Sequence, residues 1–406
     1  MSMYARKTAC HDNGMARFLV VVVPLVARVW PAVAIGEALA DAGHEVAFCG
    51  PESSLRPLLA PDSLIYPTGK RSFRQTAEMG AAAVRELWEE YVLPLNRFIA
   101  RPVDRAVADY RPDVVLTDQY ALAGALAAER HGVRWATLAA GVLELTPPIE
   151  DPGLQEWVRL KVREVTQAAG LPADTGLNPL FSPHLVIATT AQALTGTAVP
   201  PNWTLVGAVL GSRRTDPDFR WDWWDAGQQH VLVTAGTLSA HLVRGFLTRV
   251  LAAVGPMKDR VQVVVNAATE AIPEPPPNVM MAPRIPMLTL MPHLDAVICQ
   301  AGQSTVNEAL VHGVPLVVAP IRLGELATAE QVIRAGAGIA LSMSDSTVSE
   351  IAAAVTTVLG EPGYREQARR MAGEFASAGG TRAAVERLAE LARGADPQEP
   401  PAEMDI

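Results

Sequence analysis

Cysteine is scarce in this chain: three residues in 406, Cys10, Cys49 and Cys299, far apart and without ligand-like spacing. That excludes a disulfide framework and a cysteine-based zinc site, and it fits a reducing, cytoplasmic compartment. Charge is also sparse, at 19% of residues, with a formal net charge of −9 and no long Lys or Arg run. A polyphosphate partner needs the opposite, so nucleic acid is not expected. Long apolar runs are missing too. The longest, residues 18–26, falls well short of the roughly 18 residues of a membrane span, so no stable membrane insertion is expected. Residues 1–14 are polar and lack the apolar stretch and cleavage site of a signal peptide; they read as a disordered extension. Residues 395–406, acidic and rich in proline, read as a disordered tail.

What the chain has in quantity is apolar residues, 49% of the total, more than one core can use at this length. Phe18-Leu19-Val20-Val21-Val22-Val23 is a continuous apolar run rich in β-branched valine, the mark of a strand buried on both faces of a parallel sheet. A helix over residues 33–42, closed by Gly43, leads to a second strand at 45–48, which makes a βαβ unit. Short strands at 113–117, 135–138 and 185–188 alternate with helices at 96–108 and 121–130. The segment 206–229 breaks this rhythm with Gly, Pro, charge and the cluster Trp221, Trp223 and Trp224, which we read as linker packing. The strand series then restarts at 230–234 and continues at 261–265, 279–282, 296–299 and 315–319, with helices between. The expected fold class is α/β: two Rossmann-like, doubly wound domains facing across a cleft. The expected boundaries are 15–212 for the acceptor-side domain, 213–229 for the linker and 230–376 for the C-terminal domain. A helix at 377–394 is expected to pack back on the first domain.

The chemistry concentrates around residues 299–310. There Cys299-Gln300-Ala301-Gly302-Gln303-Ser304-Thr305 places a small-residue turn between a strand and a helix. Backbone N–H groups at that helix start, with the macrodipole behind them, suit an anionic phosphate. Ser304 and Thr305 add hydroxyls, and Glu308, one turn on, can accept from the two hydroxyls of a ribose. The plainer alternative makes Ser304 or Thr305 a cap and Glu308 its capping-box partner.

Several stretches extend this turn. They are Pro286-Met287-Leu288, Leu294 to Ile298, Glu308-Ala309-Leu310-Val311-His312-Gly313-Val314-Pro315 and Ala335-Gly336-Ala337-Gly338-Ile339. Together they resemble the donor-domain signature of the UDP-glycosyltransferase superfamily, GT-B fold, most of all bacterial glycosyltransferases of antibiotic and other natural-product pathways. Weaker agreement lies at Gly43-His44-Glu45-Val46, at residues 112–118 and at residues 231–237. The resemblance implies a hexosyltransferase that uses a nucleotide sugar, UDP- or dTDP-linked, and needs no further cofactor and no metal. It implies donor contacts from Gly236, Thr237, Arg284, Ile285, Gln300, Gly302, Gln303, Ser304, Thr305, Glu308 and Glu325.

The departures from the family pattern matter as much. Relatives carry a His three residues before the proline of the first helix, and with an Asp it deprotonates the acceptor. Here that position is Arg28, while Asp118 matches the Asp; a guanidinium is no base near neutral pH. Three readings follow. Another carboxylate, Asp118 or Glu144, acts as base; or the acceptor needs little help, as a phenolate, a carboxylate or an electron-rich aromatic carbon forming a C-glycoside; or the protein is a non-catalytic homologue. Gln300 replaces a phosphate-contacting His, Arg284 replaces a Trp beside the base, and Glu325 stands without the adjacent Gln that binds sugar hydroxyls. The last change favours a deoxysugar donor. Phe73, Trp88, Leu143 and Glu144, in stretches 67–94 and 141–183 read as acceptor loops, suit a small lipophilic, aromatic or polyketide acceptor. His44, His293 and His312 read as structural. A monomer or a homodimer is compatible with all of this.

Overall fold

The computed structural model describes residues 14–71, 80–141, 152–171, 176–196, 198–211, 219–234, 240–267, 274–321 and 323–394. The expected extension up to residue 13, the tail from residue 395, and Phe73, Leu143, Glu144, Gly236 and Thr237 lie outside the described residues.

The first sheet has seven parallel strands in the order β3-β2-β1-β4-β5-β6-β7. These are β1 (Arg17–Val21), β2 (Glu45–Gly50), β3 (Leu64–Pro67), β4 (Val114–Asp118), β5 (Arg134–Ala139), β6 (Leu185–Ala188) and β7 (Trp203–Leu205). The apolar run at β1 is explained by its two faces. Leu19 and Val21 enter one core cluster with Trp88 and Ile99, while Phe18 and Val20 enter another with Ile35 and Leu388. Around this sheet lie α1 (Val26–Asp41), α2 (Glu52–Leu55), α3 (Gly80–Glu86), α4 (Leu93–Tyr110), α5 (Leu122–His131) and α6 (Pro152–Ala168), while α7 (Gln192–Thr195), after β6, packs on the C-terminal core. A π-helical segment, Leu87–Val92, joins α3 to α4.

The second sheet has six parallel strands in the order β10-β9-β8-β11-β12-β13. They are β8 (Gln229–Thr234), β9 (Val261–Asn266), β10 (Val279–Ala282), β11 (Ala296–Cys299), β12 (Leu316–Val318) and β13 (Gly338–Ala340). Its helices are α8 (Ala240–Val254), α9 (Met287–Leu290), α10 (Gln303–Val311), α11 (Leu323–Arg334), α12 (Val348–Gly360) and α13 (Pro362–Ser377). A final helix, α14 (Gly380–Arg393), crosses to the first sheet, where Ala384, Leu388 and Leu391 join the cluster of Phe18 and Ile35. Gly379 and Gly380, with φ of 88° and 59°, make the reversal between α13 and α14, a backbone that side chains beyond Cα resist.

Two expectations need correction. The first helix starts at Val26, not after Pro31, so Arg28 sits in its opening turn with Pro31 inside it. The stretches 67–94 and 141–183 are not simply loops, since α3, the π-helical segment and α6 occupy much of them. In the linker, Trp224 stacks on His230 with ring centroids 3.8 Å apart, and Trp223 and Trp224 pack against the C-terminal core.

Candidate active site at two facing switch points

In each sheet the strand order reverses direction beside the first strand: between β1 and β4 in one, between β8 and β11 in the other. Open parallel sheets bind ligands outside the carboxyl ends of their strands at such points. Arg28 and Asp118 follow β1 and end β4, and residues 300–305 follow β11, so both sequence-derived clusters fall at switch points.

On the N-terminal side, Arg28 Nη1 lies 3.4 and 3.5 Å from the two Asp118 oxygens, while its guanidinium sits 3.8 Å from the centre of the Tyr120 ring. The Asp118 side chain has no exposed surface; that of Arg28 has 11%. Oδ1 of Asp118 also accepts from the Tyr120 amide at 2.8 Å. The carboxylate is thus sealed behind the cation, and Arg28 is the charged group of this pair that meets the crevice. Tyr91, on the π-helical segment, is fully buried nearby. Burial foremost, and the Asp118 charge next, push its phenol well above the usual range against the opposing pull of Arg28. Tyr91 is therefore a neutral hydroxyl and no base.

Asn96 was not singled out from sequence, yet it ties this corner together. Its Nδ2 donates to the carbonyls of Val92 and Tyr120 at 2.8 Å each, and its Oδ1 accepts from the Ala123 amide at 2.9 Å. The signal was available: Asn96 is a polar residue on the apolar stripe of α4 that runs through Val92, Ile99, Val103, Val107 and Tyr110. Trp88, read as an acceptor contact, is 4% exposed inside the core cluster with Tyr91 and Leu95, so its indole is core rather than an open wall.

On the C-terminal side, Ala301 adopts φ of 63°, a left-handed conformation rare for a residue with a side chain, and its methyl is fully buried in the core. Gly302, the extended N-cap, needs no such explanation, because its φ is −62°. A Cβ added there would meet nothing nearer than Gln300 Nε2 at 3.8 Å. Neither backbone strain nor protein crowding demands glycine; the empty space beside it lets a ligand approach the chain closely. Among the described residues, none accepts a hydrogen bond from the amides of Gln303, Ser304 or Thr305.

Other donor-site expectations separate. Glu308 is buried one turn along α10, at 5% exposure. Glu325, in the first turn of α11, accepts from the Ile321 amide at 3.0 Å, and its charge is felt at Cys299. Ile285 is buried and Arg284 exposed. The Gln303 side chain is engaged internally, donating to Asn307 Oδ1 at 2.7 Å and accepting from the Thr328 hydroxyl at 3.4 Å, so only its backbone amide faces the turn. Gln300 Oε1 is buried with no partner among the described residues. An amide turned over would put a donor in its place. Among the described residues no cluster of His, Cys, Asp or Glu is arranged to hold a metal ion.

The two half-sites touch. Ser304 Oγ donates to the carbonyl of Ala27 at 3.4 Å across the crevice. Pro31 has no N–H to return to the carbonyl four residues earlier, which is that of Ala27, so the helix leaves this oxygen to the other domain. The amide turn therefore opens beside Arg28.

Comparison with known proteins gives this crevice a context. The family model for the erythromycin biosynthesis protein CIII-like C-terminal domain matches residues 248–391. The chain is 27% identical to the 4'-demethylrebeccamycin synthase of Lentzea aerocolonigenes over 89% of its own length and 96% of that protein. These matches support the UDP-glycosyltransferase superfamily of antibiotic glycosyltransferases. The chain is a glycosyltransferase of the antibiotic and natural-product type. Its GT-B fold is shared with the kitacinnamycin glycotransferase, at a TM-score of 0.76 and 19% identity over 93% of this chain and 99% of that one. It is shared also with the spinosyn rhamnosyltransferase SpnG complexed with thymidine diphosphate, at 0.72 and 22% over 92% and 99%. In this glycosyltransferase, the residues of the Ala301 turn and the Arg28–Asp118 pair are the parts of the fold that face each other.

Proposed function

We propose that the chain transfers a hexose, preferably a deoxysugar, from a dTDP- or UDP-sugar to a small lipophilic acceptor whose attacking atom is acidic. A phenol is the leading case, and an activated ring carbon of the same phenol is the variant that would yield a C-glycoside. One observation carries the reading. A helix start whose first amides meet no acceptor among the described residues, with room beside Gly302, opens toward a guanidinium that screens a wholly buried carboxylate.

The amides of residues 303–305 and the dipole of α10 take the diphosphate and the charge that grows on it as the sugar–phosphate bond breaks. Glu308 receives the ribose hydroxyls. Glu325, with no Gln beside it, offers little to a fully hydroxylated sugar. Asp118 is behind Arg28 and has no exposed surface, so it does not reach an acceptor hydroxyl. Arg28 instead stabilises an acceptor that has already given its proton to solvent, and the anion attacks the anomeric carbon as the nucleoside diphosphate departs. The bound thymidine diphosphate of the SpnG structure supports a dTDP donor.

The test is calorimetric titration with dTDP, UDP and GDP, followed by transfer assays with phenols of graded acidity across pH. Binding of dTDP or UDP, and a rate that rises through each acceptor's own pKa, is expected. A pH profile indifferent to the acceptor would remove the Arg28 role, and absence of nucleotide binding would remove the donor site.

A further inference from the structure

The connection between β6 and β7 belongs to the first sheet by sequence and to the second core by packing. Ala191 and Leu194, at 2% and 0% exposure, lie in the same cluster as Leu232, Val297, Leu310 and Phe375. Two polar ties hold it there. Arg334 Nη2, at the end of α11, donates to the carbonyls of Leu194 and Thr195 at 2.8 and 2.6 Å, the open C-terminal end of α7. Asn307 Nδ2, on α10, donates to the carbonyl of Thr189 at 2.5 Å. The chain just beyond β7 is seated as closely. A Cβ at Gly207 would stand 2.7 Å from the Phe375 carbonyl.

Asn307 is buried, at 4% exposure, and both ends of its amide are used. Its Oδ1 accepts from Gln303 Nε2 at 2.7 Å, and Gln303 is the first residue of the helix whose amides form the donor cradle. A line of hydrogen bonds thus runs from the cradle to a backbone oxygen of the acceptor-side sheet. The chemistry is specific. Thr189 offers a carbonyl, which only accepts, and Gln303 presents N–H, so the residue between must donate one way and accept the other. Aspartate at 307 would keep the second bond and turn oxygen toward oxygen in the first.

We propose that Asn307 is a positioning residue for transfer: it sets how far the diphosphate cradle stands from Arg28 by locking α10 to the end of β6. The proposal rests on the donor-site reading above. A donor needs only the cradle, whereas reaction needs the anomeric carbon within reach of the acceptor, so displacement of one domain against the other costs turnover and not nucleotide affinity.

The experiment compares Asn307→Asp with wild type in dTDP binding by calorimetry and in kcat and KM for transfer. The expected result is dTDP affinity within about threefold of wild type and kcat lower by about 10–100-fold, the scale of a misplacement remote from the chemistry. A kcat loss no larger than the affinity loss, or no kcat loss, overturns the proposal. If N307D does not fold, Arg334→Met cuts the other tie, to Leu194 and Thr195, without touching the cradle, and the same split is expected. Wild-type protein that binds neither dTDP nor UDP would overturn the donor-site reading itself, a result distinct from either of these.

Discussion

The guanidinium of Arg28 lies 3.8 Å from the centre of the Tyr120 ring, stacked on its face. A planar, permanently charged group suits that seat, and a lysine ammonium does not fill it in the same way. The same guanidinium faces a carboxylate with no exposed surface, so its removal leaves Asp118 buried without its cation.

Arg28→Ala is therefore expected to lower stability by about 3 kcal/mol, the scale for breaking one side of a buried pair. Arg28→Met combined with Asp118→Leu should recover most of that loss in urea unfolding while transfer remains absent. Full activity in the double variant would mean that the pair only holds the fold.

Donor affinity should depend on Glu308. Glu308→Ala is expected to weaken dTDP and UDP by about 10–100-fold in calorimetry, as for loss of hydrogen bonds to a charged group. Unchanged affinity would return Glu308 to the role of a buried structural acid.

Ala301 separates the energy of the turn from its shape. Ala301→Gly gives up a buried methyl, about 1 kcal/mol, and relieves a left-handed backbone worth a similar amount. Its unfolding midpoint should stay near wild type. Ala301→Val puts a β-branched side chain in the same conformation and should lower both the midpoint and dTDP affinity. A301V with wild-type stability would show that the turn rearranges freely.

Burial pushes the Cys49 thiol from an ordinary 9.0 to about 12, and does the same at Cys299, where the Glu325 carboxylate adds to the rise. The unfolded chain gives up these protons first. Between 9 and 12 the native state holds more protons, so stability falls as pH rises through that window. A Cys49→Ala, Cys299→Ala double variant should lose less of its urea midpoint between about pH 8 and pH 10 than wild type does. Equal slopes would assign the alkaline loss to other groups.

Much of this was legible in the residues. The double-faced burial of β1 followed from its unbroken apolar run, and the turn between β11 and α10 followed from small residues set between an apolar strand and a helix. The pairing of Arg28 with Asp118 was implied by resemblance alone. What escaped had physical causes. Pro31 and Pro94 read as punctuation, yet both lie within helical turns, Pro31 inside α1 and Pro94 at the start of α4 directly after a π-helical segment. Asn96 was marked only as a polar residue on an apolar helix stripe and Asn307 not at all; their partners, Tyr120 and Thr189, lie 24 and 118 positions away, where no local pattern reaches. Gln303 was placed among the ligand contacts by its neighbours, yet its side-chain amide turns inward to Asn307 and Thr328.

The return of α14 to the first sheet has a practical consequence for recombining such enzymes. A chimera that joins one protein's acceptor half to another's donor half at the linker would carry a foreign helix against Phe18 and Ile35, where Ala384, Leu388 and Leu391 are fitted. The graft has two seams. The second falls at the Gly379–Gly380 reversal, so that residues 380–393 travel with the N-terminal portion they complete.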